Sequence, residues 1–229
     1  MERIVLHIDV NSAFLSWSAV KLLEEGYKKD IRNEVAVVAG DPKKRHGIIV
    51  AASIPAKKLG IKAPINLYEA RRKYKDLIVV KPDYNYYYQK SKAMMDFLKK
   101  LFPEFQQYSI DECFIEYTSM KRIYGDEVKF AYKLKNEIYK RFGFTVNVGI
   151  GNNKLCAKMA SDFEKPNKVH TLYEYEFKDK VWNLDISELF MAGKSSCKKL
   201  RELNINTIKD LACADYNMIV RNLKGIGKM

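Results

Sequence analysis

FQQYSIDECFIEYT, residues 105–118, reads as two strand-forming runs around a pair of acids. Aromatic and β-branched residues fill 105–110 and 113–118, which should pair as a hairpin with Asp111 and Glu112 where they meet. RIVLHIDV, at 3–10, is a buried strand that delivers Asp9 to a sheet edge. Outward from these, strand and helix signals alternate irregularly. Ala13, Phe14, Trp17, Val20 and Leu23 place a helix over 12–25, ended by Gly26. Strands follow at 34–39 and 47–52, with DPKKRHG (41–47) as a charged turn between them. Short helices are predicted at 54–59 and 66–74, then a strand at 77–80 before Pro82. A long amphipathic helix spans 84–101 and another about 126–141. A strand at 144–150 and a helix at 154–163 precede Lys165-Pro166-Asn167, and β signals fade from about 171. This order predicts an α+β fold rather than a doubly wound sheet, with 11–78 as an inserted lobe and a helical C-terminal unit.

With 229 residues, 47% of them hydrophobic, the chain can bury two or three small, mutually packed units. Its 41 Lys and Arg against 28 Asp and Glu give a net charge of +13. Such a balance suits a polyanionic partner, because phosphates relieve the repulsion among the cations, although some proteins are basic without one. Cys113, Cys156, Cys197 and Cys213 form no C-x-x-C pair, which argues against a zinc site and a disulfide scaffold. The apolar runs, such as GIIVAA at 47–52, are too short to span a membrane, and the N-terminus lacks the pattern of a signal peptide. A reduced, soluble, cytoplasmic chain is expected.

A carboxylate at the end of an apolar strand is costly unless a cation neutralises it. Asp9, Asp111 and Glu112, with no matching buried Arg or Lys evident in the sequence, therefore make a candidate site for divalent cations. Hard oxygen ligands suit Mg²⁺, and two such ions about 3.5–4 Å apart stabilise both oxygens of a phosphoryl transfer. Each acid taken singly also fits the capping of a turn at a strand end.

The run YSIDECF (108–114) resembles the S-I-D-E signature of Y-family, translesion DNA polymerases, and HIDVNSAF (7–14) resembles that family's first motif. SIPAKKLGI (53–61), NVGIGNNK (147–154) and ASDFEKPN (160–167) are further matches in the same order. Together they are most similar to the bacterial DNA polymerase IV, or DinB-like, group. The resemblance implies a palm formed by 1–12 and 79–170, fingers at 13–78 and a helix-hairpin-helix-like thumb at 171–229. It implies that Asp9, Asp111, Glu112 and the backbone carbonyl of Val10 hold two Mg²⁺ ions. Asn11, Ser12, Ala13 and Phe14 would meet the incoming nucleotide through a helix N-terminus, with Phe14 as the steric gate against ribose. Lys57 and Lys165 would contact the triphosphate, and Gly193 and Lys194 the DNA backbone.

Several positions depart from the family pattern. Where many relatives have Tyr and Arg in the fingers, this chain has Ile54 and Lys57; isoleucine donates no hydrogen bond, and lysine lacks the bidentate fork of arginine. The usual G-x-G of the thumb reads Ala192-Gly193, and a plain packing turn fits it equally. Leu223 to Gly227 would form a second such turn. Phe14 also fits an ordinary core aromatic, and Lys165 a solvated charge. The family's little finger is absent from these 229 residues, so weak DNA affinity and poor processivity are expected. The implied activity is template-directed addition of dNMP to a primer 3′-hydroxyl, with low fidelity and no proofreading. Primer-template DNA and dNTP are the partners, a sliding clamp binds the full-length protein, and a monomer is expected. The alternatives are a non-catalytic DNA-binding or assembly module of the same fold, and a nucleotidyl cyclase, which the fingers-like insertion and basic helical tail disfavour.

Overall fold

The computed structural model describes residues 2–40 and 47–223. Most of the DPKKRHG turn and residues 224–227 of the second thumb-like turn lie outside them. In chain order the elements are β1 (Val5–Val10), α1 (Ala13–Glu24), β2 (Ala36–Ala39), β3 (Ile49–Ala52), α2 (Ile54–Lys58) and α3 (Leu67–Lys73). Then come β4 (Ile78–Val80), α4 (Tyr84–Leu101), β5 (Phe105–Gln107), β6 (Glu112–Glu116), α5 (Lys121–Tyr124) and α6 (Glu127–Phe142). The chain continues through β7 (Val146–Gly151), α7 (Lys154–Asp162), β8 (Val169–Leu172), α8 (Phe177–Lys180), α9 (Lys194–Glu202), α10 (Ile208–Ala212) and α11 (Tyr216–Leu223).

Two sheets organise these elements, in keeping with the predicted α+β class. The larger has the order β5-β6-β1-β7-β8, antiparallel except for the parallel β7–β8 edge. The smaller is β3-β2-β4. Alternation along β1 sorts its side chains: Leu6, Ile8 and Val10 join one core with Met94, Met95 and Leu98 of α4 and Leu134 and Ile138 of α6. His7 and Asp9 therefore point to the opposite face. That face is covered by α7, which lies very close to β7. A Cβ on Gly149 would stand 1.9 Å from the Ala157 carbonyl oxygen, and one on Gly151 2.6 Å from Cys156 Cβ. Only glycine admits this approach.

Helix α1 is shared by both sheets. Ala13, Trp17 and Val20 belong to the core of the large sheet, whereas Leu15 and Ala19 pack with Ala36, Val38 and Ala51 of the small one. The small sheet's other face is filled by Ala56 of α2 and Leu67 and Ala70 of α3. Farther along, Ile186, Cys197, Leu200, Ile205, Ile219 and Leu223 close a small helical core.

Three details differ from the sequence reading. The hairpin strands are shorter than predicted because the chain turns at 108–111, where the Tyr108 and Ser109 amides both donate to the Glu112 carbonyl at 3.0 and 3.2 Å. Strand β8 was not foreseen, since four residues show no period and its pairing is supplied by β7. Helix α5 is likewise too short to leave a periodic signal. No described helix is long and apolar enough to cross a membrane.

Candidate active site

The strand register assembles the site. In β1, Asp9 stands opposite Glu112 of β6 on one side and Asn147 of β7 on the other. Directly opposed residues share a face, so these three side chains form one polar row across the sheet. The next row contains Phe114, His7 and Gly149.

Asp9 is only 5% exposed, and burial raises its carboxyl to about 6 although Lys165 and Lys158 pull it back. The Lys165 ammonium bonds Asp9 Oδ2 and lies 2.8 Å from Asp162 Oδ1. Burial lowers the Lys165 pKa, but these two carboxylates outweigh it and the net direction is upward. Lys158, nearly buried on α7, places Nζ 2.5 Å from Glu112 Oε1. The expectation that no buried cation matches the acids is thus corrected. Gly149 and Gly151 draw α7 onto the sheet, bringing Lys158 with it and Lys165 in the segment that follows.

His7 is fully buried, and its Nδ1 lies 2.9 Å from Ser161 Oγ. The Ser161 hydroxyl gives its own proton to the Lys158 carbonyl at 2.7 Å, so His7 Nδ1 carries the ring proton. Nε2 is then a bare acceptor, without a hydrogen-bond partner among the described residues and 3.9 Å from Glu112 Oε2. Burial, reinforced by Lys158 and Lys165, lowers the imidazole to about 2, and it stays neutral.

Asp111 is oriented differently from the other two acids. Its carbonyl accepts the Val10 amide at 3.1 Å, while its carboxylate accepts the Ser109 hydroxyl at 2.7 Å. Among the described residues, no three or more His, Cys, Asp or Glu side chains are gathered into a metal-binding group. The structure therefore unites Asp9 with Glu112 and leaves the Asp111 carboxylate on Ser109.

Beyond the end of β1, Ser12 adopts a left-handed conformation (φ 47°) and begins α1 without a side-chain cap. Its hydroxyl receives Lys57 Nζ at 2.7 Å, a bond that reaches across from the small-sheet lobe. Burial lowers the Lys57 pKa, and the nearby ammoniums of Lys165 and Lys62 lower it further. Two cations thus flank the segment from Asp9 to Ser12, as an anion site needs. Phe14 stacks on Tyr87 (ring centroids 5.1 Å apart, 18° between planes) and meets the edge of Tyr84 at 6.1 Å. Tyr87 is held in turn by Ser18, whose Oγ is 2.5 Å from its hydroxyl. Ile54 is exposed at the start of α2. Gly193 caps the N-terminus of α9, with Lys194 its first residue, in the C-terminal helical unit. Phe190 from that unit approaches the site, its ring 5.8 Å from Lys158 Nζ and 6.2 Å from the Tyr108 ring.

His7, Lys158, Ser161 and Asn147 were assigned no role in the sequence reading. For His7 and Asn147 a signal existed: each is a polar residue in an otherwise apolar strand, on the parity of Asp9 or Gly149.

Residues 8–162 match the model of the impB/mucB/samB family. The chain is 48% identical over 230 residues to the DNA polymerase IV of Clostridium acetobutylicum, covering 100% of this chain and 58% of that protein. It is 33% identical to the DNA polymerase IV of Acetivibrio thermocellus, over 97% of this chain and 54% of the relative. The chain thus spans about half the length of the curated relatives it matches. Among solved structures, DinB from Sulfolobus solfataricus superposes with a TM-score of 0.82 at 26% identity, covering 98% of this chain and 64% of that one. An insertion ternary complex of Dbh DNA polymerase gives 0.84 at 27% identity, with coverages of 98% and 65%. The chain belongs to the impB/mucB/samB family, which bears out the resemblance read from its motifs.

Proposed function

We propose that this chain is the catalytic part of a template-directed DNA polymerase of the translesion type. The observation that carries the proposal is the gathering of Asp9, Glu112 and Lys165 on one sheet face, with Lys57 reaching Ser12 just beyond the end of β1. This places two carboxylates beside two cations at the start of a helix. Residues 1–12 and 79–170 correspond to the palm, 13–78 to the fingers and 171–229 to the thumb, except that β4 (Ile78–Val80) pairs with β2 and so belongs with the fingers sheet, while α1 braces palm and fingers together.

The donor set fits hard divalent cations. Asp9 is a buried carboxylate beside a second one, and an ammonium now supplies the positive charge that burial demands. Asp9, Asp111, Glu112 and the Val10 carbonyl would hold two Mg²⁺ ions. When bound, such ions acidify a primer 3′-hydroxyl and neutralise a leaving pyrophosphate. Lys165 and Lys57 bind triphosphate oxygens as point charges, and the amides of Ser12 to Phe14 orient them; the Asn11 amide expected beside them donates instead to the Thr145 carbonyl at 3.0 Å, so Asn11 braces the turn. The Phe14 ring, fixed by Tyr87, occupies the space that a ribose 2′-hydroxyl would need. Gly193 and Lys194 hold the duplex backbone, and a sliding clamp binds the full-length protein.

Extension of a primed template by one nucleotide tests the proposal. Activity should be present in the wild-type chain and fall by about 10³-fold or more in Asp111→Ala and Glu112→Ala. No extension at high concentrations of chain and DNA would instead mark a non-catalytic DNA-binding module.

A further inference from the structure

Asn147 is fully buried in β7, directly across from Asp9. Its amide has every hydrogen-bonding position filled. Oδ1 accepts from Asn11 Nδ2 and from the Lys168 backbone amide, both at 3.1 Å. Nδ2 donates to the carbonyls of Ser161 at 3.0 Å and Glu164 at 2.7 Å. Two carbonyls on one side and a backbone N–H on the other fix which way the amide points.

The groups it binds delimit one short stretch of chain. Ser161, Glu164 and Lys168 bracket Lys165, and the free Oδ1 of Asn11 accepts the Asn167 amide at 2.9 Å. Four backbone groups between 161 and 168 are therefore tied to two buried asparagines at the site ends of β1 and β7. Lys165 itself is 38% exposed at its side chain. A long, flexible lysine stays on target only if its backbone does.

We propose that Asn147 is a positioning residue for nucleotide binding: it clamps the 161–168 segment so that the Lys165 ammonium stands over Asp9, where phosphates arrive. This rests on the phosphate-binding role of Lys165 proposed above. The residue type follows from the chemistry. A valine would suit the strand, as at Val146 and Val148, but would leave the Glu164 carbonyl and the Lys168 amide unpaired.

The test combines single-nucleotide insertion kinetics with hydrogen exchange on the full chain. In Asn147→Ala the KM for the incoming nucleotide should rise about tenfold, with a smaller fall in kcat. The Asn147→Ala/Lys165→Ala double variant should be within about twofold of Lys165→Ala alone, because the clamp acts through that lysine. Exchange should accelerate across 163–168 while β1 and β7 keep their protection. An unchanged KM, or a double variant whose effect is the product of the singles, overturns the proposal. If Lys165→Ala itself leaves KM unchanged, the phosphate role of that lysine has failed. Exchange then decides the clamp: acceleration at 163–168 supports it, and wild-type rates refute it. Should Asn147→Ala not fold, Asn147→Ser, which keeps one donor and acceptor, is read the same way.

Discussion

Phe14, the proposed sugar gate, is also a packed aromatic. It packs among Trp17, Tyr84 and Tyr87 as a core aromatic does, yet it remains only half-buried, two residues after Ser12, which receives Lys57. The core and gate readings of its sequence position are therefore compatible, since these contacts would hold the proposed gate rigid. Phe14→Ala should raise ribonucleotide incorporation relative to deoxyribonucleotide by about tenfold or more. Competition between ATP and dATP at one template position measures it, and an unchanged ratio would remove the gate. At this scale Asp9 and Glu112 were legible, because an acid closing an apolar run is conspicuous. Lys158 was not. On the sequence of α7 it reads as one more solvated lysine, and its burial against Glu112 exists only once the helix meets the sheet.

That meeting depends on the element pair β7–α7. Gly149 leaves no room for even a methyl group, because the nearest atoms are backbone and not the ends of flexible side chains. Gly149→Ala should therefore destabilise the chain by about 3 kcal/mol through forced separation of α7 from the sheet. Denaturant titration gives the number, and a cost below about 1 kcal/mol would show that the helix can yield. Long amphipathic elements such as α4 and α6 were legible almost to the residue, since many apolar positions repeat the same period. The four-residue β8 and the turn at 108–111 were not, because neighbouring strands and turn hydrogen bonds determine them.

Over the whole molecule, the excess of 13 positive charges bears on the proposed binding of DNA. If binding neutralises six or more phosphates, affinity should fall roughly 10³-fold or more between 50 and 200 mM salt. Fluorescence anisotropy of a labelled primer-template across that range measures the slope, and a flat profile would detach the basic charge from nucleic acid. The inserted lobe and the helical tail were visible in the order of strand and helix signals, whereas the division of the strands into two sheets was not. The sharing of α1 between both sheets was not, because its apolar residues look like one continuous face until two cores claim different sides of it. That shared helix carries a fully buried indole, Trp17, 6.0 Å from Phe14. The chain has two tryptophans, and the other, Trp182, lies in the C-terminal unit among lysines 178 and 209. With Trp182 replaced by phenylalanine, the remaining indole becomes an intrinsic fluorophore seated at the junction of both lobes. Its emission then reads out the packing around Phe14 without an added dye.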